Sequence, residues 1–162
     1  MIVSRALSFF LRFAQFVCGA VVLGLVAHFL HQHHKTHAGP IGREIYTEVV
    51  AALSVVLSLI WMIPFTSTFL HYTTDFILSA AWFAAFGTLV NWIHKANCGG
   101  AFQWGGIHRG GYCGQWKATE AFSFLSAIFW LASAALGIHV VHRGTREATT
   151  SRGSRWSRRH AV

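Results

Sequence analysis

Three sets of residues in this sequence have the types and spacing to do chemistry. In the first, Cys98 and Cys113 stand near the two ends of segment 94–116, which is crowded with glycines and also holds Phe102, Trp104 and Tyr112. Thiols so placed could exchange electrons, hold a metal or close a disulfide. Passing electrons to a quinone would call for a Cys-x-x-Cys pair and a second dithiol, and the chain has neither. A zinc site using His94 and His108 would want a close cysteine pair, whereas fourteen residues lie between these two. In an oxidising compartment a disulfide is favoured over two unpaired thiols, because it would shorten a floppy connection and tie its flanks together. Cys18, inside an apolar stretch, reads as a small packing residue or, less readily, a palmitoylation site.

The second set is histidine: His28, His31, His33, His34 and His37, with HQHH at 31–34. Neutral imidazoles so close could bind a transition metal, or gain charge in an acidic lumen. No second group of ligands closes a coordination shell, so the segment reads as solvated and interfacial, and no metal is predicted. The third set is carboxylate. Glu48 and Glu120 could serve a proton or cation path, but no string of acids continues between them. Arg43 and Lys117 are available as partners, and an interfacial Lys117–Glu120 salt bridge is the favoured reading of Glu120. The chain shows no nucleophile beside a base, no phosphate-cradling loop and no paired intramembrane carboxylates, so no enzymatic step and no cofactor are expected.

The elements that would position these residues are long and apolar. Four uninterrupted stretches, 13–30, 45–63, 76–93 and 118–141, approach the ~20 residues that a helix needs to cross ~30 Å of hydrocarbon. Membrane strands would be about half as long and would alternate apolar with polar residues. Of the 162 residues, 54% are hydrophobic and 11% charged, too little polar surface to cover a soluble globule. The fold class is therefore all-α, an integral membrane four-helix bundle. Its helices are expected at about 7–30, 45–63, 75–93 and 117–141, in a domain spanning 1–142. Arg5 and Arg12 precede the first stretch as in a signal peptide. Its length and the lack of a small-x-small cleavage site make it an uncleaved signal anchor.

Charge sets the expected orientation. With four spans, one side holds Arg5, Arg12 and the arginines beyond 142, while the other holds Lys35, Arg43, Lys95, Arg109 and Lys117. The positive-inside rule then places both termini in the cytoplasm and 94–116 outside or in a lumen. The membrane would be the plasma membrane or an endomembrane.

Asp75 opens the third span after Thr73 and Thr74, where a carboxylate favours the positive end of the helix dipole. Arg12 lies at comparable depth on the first span. Either the two pair, or each snorkels to the headgroups. Small residues four apart (Ala20 with Gly24, Ala80 with Ala84, Ala81 with Ala85, Ser133 with Gly137) mark faces for close helix packing. Glu120 shares a face with Ser123, Ala127 and Ala134 that should look into the bundle. Trp61, Trp82, Trp92, Trp116 and Trp130 read as interfacial aromatics.

Segment 143–162 carries Arg143, Arg146, Arg152, Arg155, Arg158 and Arg159 against the single acid Glu147, with Trp156 its main apolar residue. It is expected to be disordered in water and to bind anionic lipid of the inner leaflet, each arginine adding ~1 kcal/mol. Thr149, Ser154 and Ser157 follow arginines at spacings that resemble kinase sites, so phosphorylation could release it. The net charge of +8 does not imply nucleic acid, because the charge is juxtamembrane and no recognition motif accompanies it.

Taken together, these features resemble the MARVEL-domain membrane proteins, most of all the fungal members, over about residues 5–142. The likeness rests on four spans, cytoplasmic termini and a cysteine-bracketed second loop. It also rests on Asp75 ahead of Trp82-Phe83-Ala84 and on Trp116-Lys117-Ala118-x-x-Ala121-Phe122-x-Phe124-Leu125 opening the fourth span. Claudins and tetraspanins fit less well, since the Trp-x-x-Leu-Trp-x-x-Cys signature of the first and the Cys-Cys-Gly of the second are absent. The resemblance implies a non-enzymatic role in organising membrane microdomains, membrane apposition or trafficking. Its partners would be membrane lipids, copies of itself or other membrane proteins. The alternative is a small oligomeric channel or transporter using Glu48 and Glu120 as entrance charges.

Overall fold

The computed structural model describes residues 2–36, 41–62, 68–96, 98, 100 and 111–159, with side chains over 6–31, 41–62, 72–96, 98, 100 and 111–142. These residues form four helices: α1 (Ile2–Thr36), α2 (Ile41–Met62), α3 (Thr68–Lys95) and α4 (Gly111–Arg159). Each contains a membrane-length span, at Ala6–His31, Ile41–Met62, Tyr72–Lys95 and Gly111–His142. Pro40 immediately precedes α2, where its missing N–H costs nothing, and Pro64 follows α2 by two residues, where the helix could not continue. Gly111 opens α4 at φ 81°, a left-handed conformation that favours glycine.

The helices form a ring in which α1 packs on α2 and α4, and α3 on α4 and α2, so α1 faces α3 across one diagonal and α2 faces α4 across the other. The α3–α4 contact is the most extensive and the α2–α3 contact the least. Polarity is inverted relative to a soluble bundle. Gln15, Thr47, Ser54 and Ser123 are fully buried, while Phe10 (62%), Phe76 (58%) and Ile77 (61%) are exposed. Lipid is as apolar as these outer side chains, so nothing drives them inward, whereas polar groups must find partners inside. Many interior hydroxyls do so on their own helix. Thr47 donates to the Arg43 carbonyl at 2.9 Å, Thr119 to Gln115 at 3.0 Å and Ser123 to Thr119 at 2.7 Å.

Several expectations change. Three of the tryptophans assigned to the interface are core residues: Trp82, Trp116 and Trp130 are buried. Trp82 and Trp130 sit at mid-span, where a four-helix cross-section leaves room for an indole, and Trp82 Nε1 donates to Ser54 Oγ at 2.8 Å. The small-residue pairs divide. Ala85 is buried, but Ala80, Ala84 and Gly24 look outward. On α1 the close approach is at Gly19, where an added Cβ would stand 3.3 Å from Val55 Cγ2. At Gly137 it would stand 2.8 Å from Tyr72 Cβ, so α3 meets α4 backbone to backbone there.

Helix α4 also exceeds its expected bounds at both ends. It starts at Gly111 rather than about 117, which takes Cys113 and Trp116 out of the loop 94–116 and onto a helix. At the other end it runs to Arg159 where a disordered tail was expected from 143. A helix already anchored in a membrane bears no nucleation cost when it is extended. The arginines and Ala148 favour helix enough to carry it past Gly144 and Gly153, at ~1 kcal/mol for each glycine.

Gly137→Ala is expected to destabilise the bundle by about 1–3 kcal/mol through overpacking against Tyr72, while Gly24→Ala, which meets nothing within 4 Å, should be neutral or stabilising. Thermal unfolding of the two variants in detergent, followed by retention of the monodisperse species, measures the difference.

Candidate functional site

Two clusters of interior side chains stand out, one toward each end of the bundle. The first surrounds Arg12, about 9 Å along α1 from the start of its span. Its guanidinium grips Asp75 across the α1–α3 diagonal with two hydrogen bonds, Nη1 to Oδ1 and Nη2 to Oδ2, both 2.8 Å. Both residues are buried. Asp75 Oδ2 also accepts from Ser133 Oγ of α4 at 2.6 Å. Arg12 Nη1 donates to Gln15 Oε1 at 3.0 Å, and Gln15 Nε2 donates to the Phe129 carbonyl of α4 at 3.1 Å.

Two rings complete this level. The Arg12 guanidinium carbon lies 4.7 Å from the ring centroid of Trp61 on α2 and 5.5 Å from that of Trp130 on α4. The two indoles meet edge to face at 5.9 Å across the other diagonal. One cation thus contacts all four helices. A bidentate Arg–carboxylate pair with a further hydroxyl donor satisfies charge and hydrogen bonding together, which permits it this far inside lipid. Arg12 and Asp75 were candidates from their depth alone. Gln15, Ser133, Trp61 and Trp130 were not, although Gln15 one turn after Arg12, in an otherwise apolar run, was a legible signal.

The second level lies at the opposite end. Cys98 and Cys113 form a disulfide with Cα atoms 5.5 Å apart, joining the segment after α3 to the first turn of α4. Beneath it the rings of Phe29 and Trp116 stack at 4.4 Å, with Tyr112 6.0 Å and Trp92 6.3 Å from Trp116. Cys98 itself packs against this cluster. Glu120, one turn deeper than Trp116, is fully buried, and neither of its carboxylate oxygens accepts a hydrogen bond. Glu120 therefore accepts no hydrogen bond from Lys117, but Lys117 is also buried and close enough to act on its carboxylate electrostatically.

On α2 the helix starts earlier than expected, so Glu44, not Glu48, occupies its first turn and is buried. Glu48 is half-buried, and its Oε2 has no partner. Arg43 does not serve either glutamate at Glu48 or Glu120 by hydrogen bonding to these atoms; it donates to the Thr88 carbonyl of α3 at 3.3 Å. Tyr46 likewise donates to the Ala81 carbonyl at 3.2 Å. These two bonds span the least extensive of the four helix contacts. Among the described residues no group of three His, Cys, Asp or Glu is placed to hold a metal. His108, the side chains of His33 and His34, and His37 lie outside the described residues, as do the side chains of Arg143, Arg146, Arg152, Arg155, Arg158 and Arg159. Cys18 is a buried free thiol.

Residues 5–136 match the profile of the membrane-associating domain called MARVEL. No curated protein matches the chain.

Asp75→Asn, which keeps the shape but leaves Arg12 without a counter-charge, is expected to cost about 3–5 kcal/mol. Arg12→Met combined with Asp75→Leu should recover most of that, and a double-mutant cycle of unfolding free energies in detergent measures it. Equal stability of wild type and Asp75→Asn would show that the network does not hold the bundle. In a separate labelling experiment, Cys98 and Cys113 are expected to react with maleimide-polymer only after reduction. Buried Cys18 should react only on unfolding.

Proposed function

Because the chain belongs to the MARVEL family of membrane-associating domains, we propose that this integral membrane protein is a non-enzymatic organiser of its bilayer, acting on microdomains, apposed membranes or trafficking cargo through lipid and helix contacts. The observation that carries the reading is the inversion of polarity. The buried side chains of the Arg12 level are committed to holding helix to helix, and what the bundle offers its surroundings is an apolar exterior that includes Phe10, Phe76, Ile77, Val49 and Val56. Work done through such a surface is lateral: it selects lipids by packing and length, or meets other helices. Both termini face the cytoplasm in this proposal, since arginine dominates the side that holds them. The protein then resides in the plasma membrane or an endomembrane.

The test is distribution of fluorescent protein in giant vesicles with coexisting ordered and disordered phases. Wild type is expected to concentrate in one phase. Ile77→Ala with Val56→Ala, both outside the core, should change that partition without lowering unfolding temperature. Uniform distribution of the wild type sinks the reading.

A second reading has one observation in its favour: Glu120 and Glu48 keep buried carboxylate oxygens without hydrogen-bond partners. A small oligomeric channel or transporter would use them as entrance charges. It requires cation or proton flux through proteoliposomes that disappears in Glu120→Gln, and wild-type vesicles that remain tight eliminate it.

A further inference from the structure

Arg43 is a half-buried cation to which the described residues bring no counter-charge. It stands in the first turn of α2, and its Nη1 donates to the neutral Thr88 carbonyl of α3 at 3.3 Å. Thr88 lies seven residues before Lys95, the end of α3, a drop of about 10 Å along that helix. The guanidinium is therefore well below the end of α3, inside the α2–α3 crevice, instead of rising to headgroup water as arginines at helix ends commonly do. The whole chain has five acids. Asp75 is held by Arg12, Glu147 follows the fourth span at the opposite end, and neither Glu48 nor Glu120 pairs with Arg43. Glu44, the next residue, is buried in the interior, and side chains adjacent on a helix do not face each other.

The crevice below Arg43 is shallow and apolar. Helices α2 and α3 touch least of the adjacent pairs, and the flank of α3 there carries the small residues Ala81 and Ala84. Tyr46, itself exposed, crosses to the Ala81 carbonyl at 3.2 Å. Leu53 of α2 lies seven residues on from Tyr46 and Ile77 of α3 four before Ala81, so both continue the same strip toward the bilayer middle, and both are exposed.

We infer that the α2–α3 crevice is a binding site for one phospholipid of the leaflet at the disulfide end, with its phosphodiester on Arg43 and an acyl chain along Tyr46, Leu53, Ala84 and Ile77. Charge complementarity names the occupant. A guanidinium with N–H groups to spare forms a fork that matches phosphate oxygens, whereas a sterol or a diacylglycerol brings no anion. No carboxylate of the described residues stands on this flank to receive a choline or ethanolamine ammonium, so a net-anionic headgroup is favoured. The inference goes beyond selection of lipids by packing and length. It also stands apart from it, since uniform distribution of the protein between lipid phases would leave binding at Arg43 untouched.

The test uses the full chain, delipidated in a neutral maltoside detergent and titrated with phosphatidylglycerol or with diacylglycerol of the same acyl chains. Bound lipid is counted by native mass spectrometry. Wild type is expected to hold one phosphatidylglycerol in preference to diacylglycerol. Arg43→Gln should weaken that binding by about 10- to 100-fold, the worth of a charge-assisted hydrogen bond. Lys95→Gln removes the same charge from the exposed end of α3 and should leave binding unchanged. Arg43→Lys keeps the charge without the fork; its expected loss is smaller, and it answers the question if the glutamine variant does not fold. Equal binding of diacylglycerol overturns the proposal, and so does an equal loss in Lys95→Gln, which would mark a diffuse surface charge. Full displacement by soluble glycerophosphate would assign Arg43 to a free anion instead, and a fatty acid that binds as tightly as phosphatidylglycerol would assign it to a carboxylate; either result sinks the phospholipid site.

Discussion

A guanidinium inside hydrocarbon imposes one arrangement on its surroundings. Arg12 cannot be left without a counter-charge there, and water is not at hand to solvate it. The side chains that meet its needs come from every other helix: the Asp75 carboxylate from α3, the indole faces of Trp61 from α2 and Trp130 from α4. The α1–α3 diagonal is closed by the ion pair, and the α2–α4 diagonal by the two indoles at the same level. Lipid supplies little apolar drive between helices, so polar links and steric fit decide which helices meet. This explains how α2 and α3, whose mutual contact is slight, still belong to one bundle. The deep approach of α4 to α3 at Gly137 lies one turn from Ser133, which bonds Asp75, so backbone proximity and the ion pair support each other.

The opposite end is held differently. There the Cys98–Cys113 disulfide and the stack of Phe29 on Trp116 close the bundle, with Tyr112 and Trp92 beside them. Glu120, one turn along α4 from Trp116, is fully buried at this end. A bundle fixed by an ion pair at one end and by a covalent bond at the other is stiff along its length. What such a molecule can vary is its outer surface, where the proposed lateral role would act. Family membership agrees with a membrane-associating role.

Much of this was legible in the residues. Four apolar stretches of bilayer length fixed the number and kind of elements, because a backbone in lipid must satisfy its own hydrogen bonds and a helix does so alone. Arg12 and Asp75 stood out because ionisable residues inside such stretches are costly. Spacing brought forward Cys98 and Cys113. Helix ends were less legible: glycines obscured the start of α4, and arginines, read as a solvated tail, obscured its continuation. Periodicity could not say whether Trp82 and Trp130 face lipid or core, since an indole suits either.

Composition and order along the chain thus determined that this protein crosses a membrane four times, and which few polar residues needed partners. The tertiary structure alone decided which partners they found. Asp75, Ser133, Trp61 and Trp130 lie far from Arg12 in sequence, and only the ring order of the helices and their vertical register bring them to one point. The fold also buried Lys117 and Glu120 together while leaving the Glu120 carboxylate without a hydrogen bond, an outcome that a three-residue spacing on one helix does not decide.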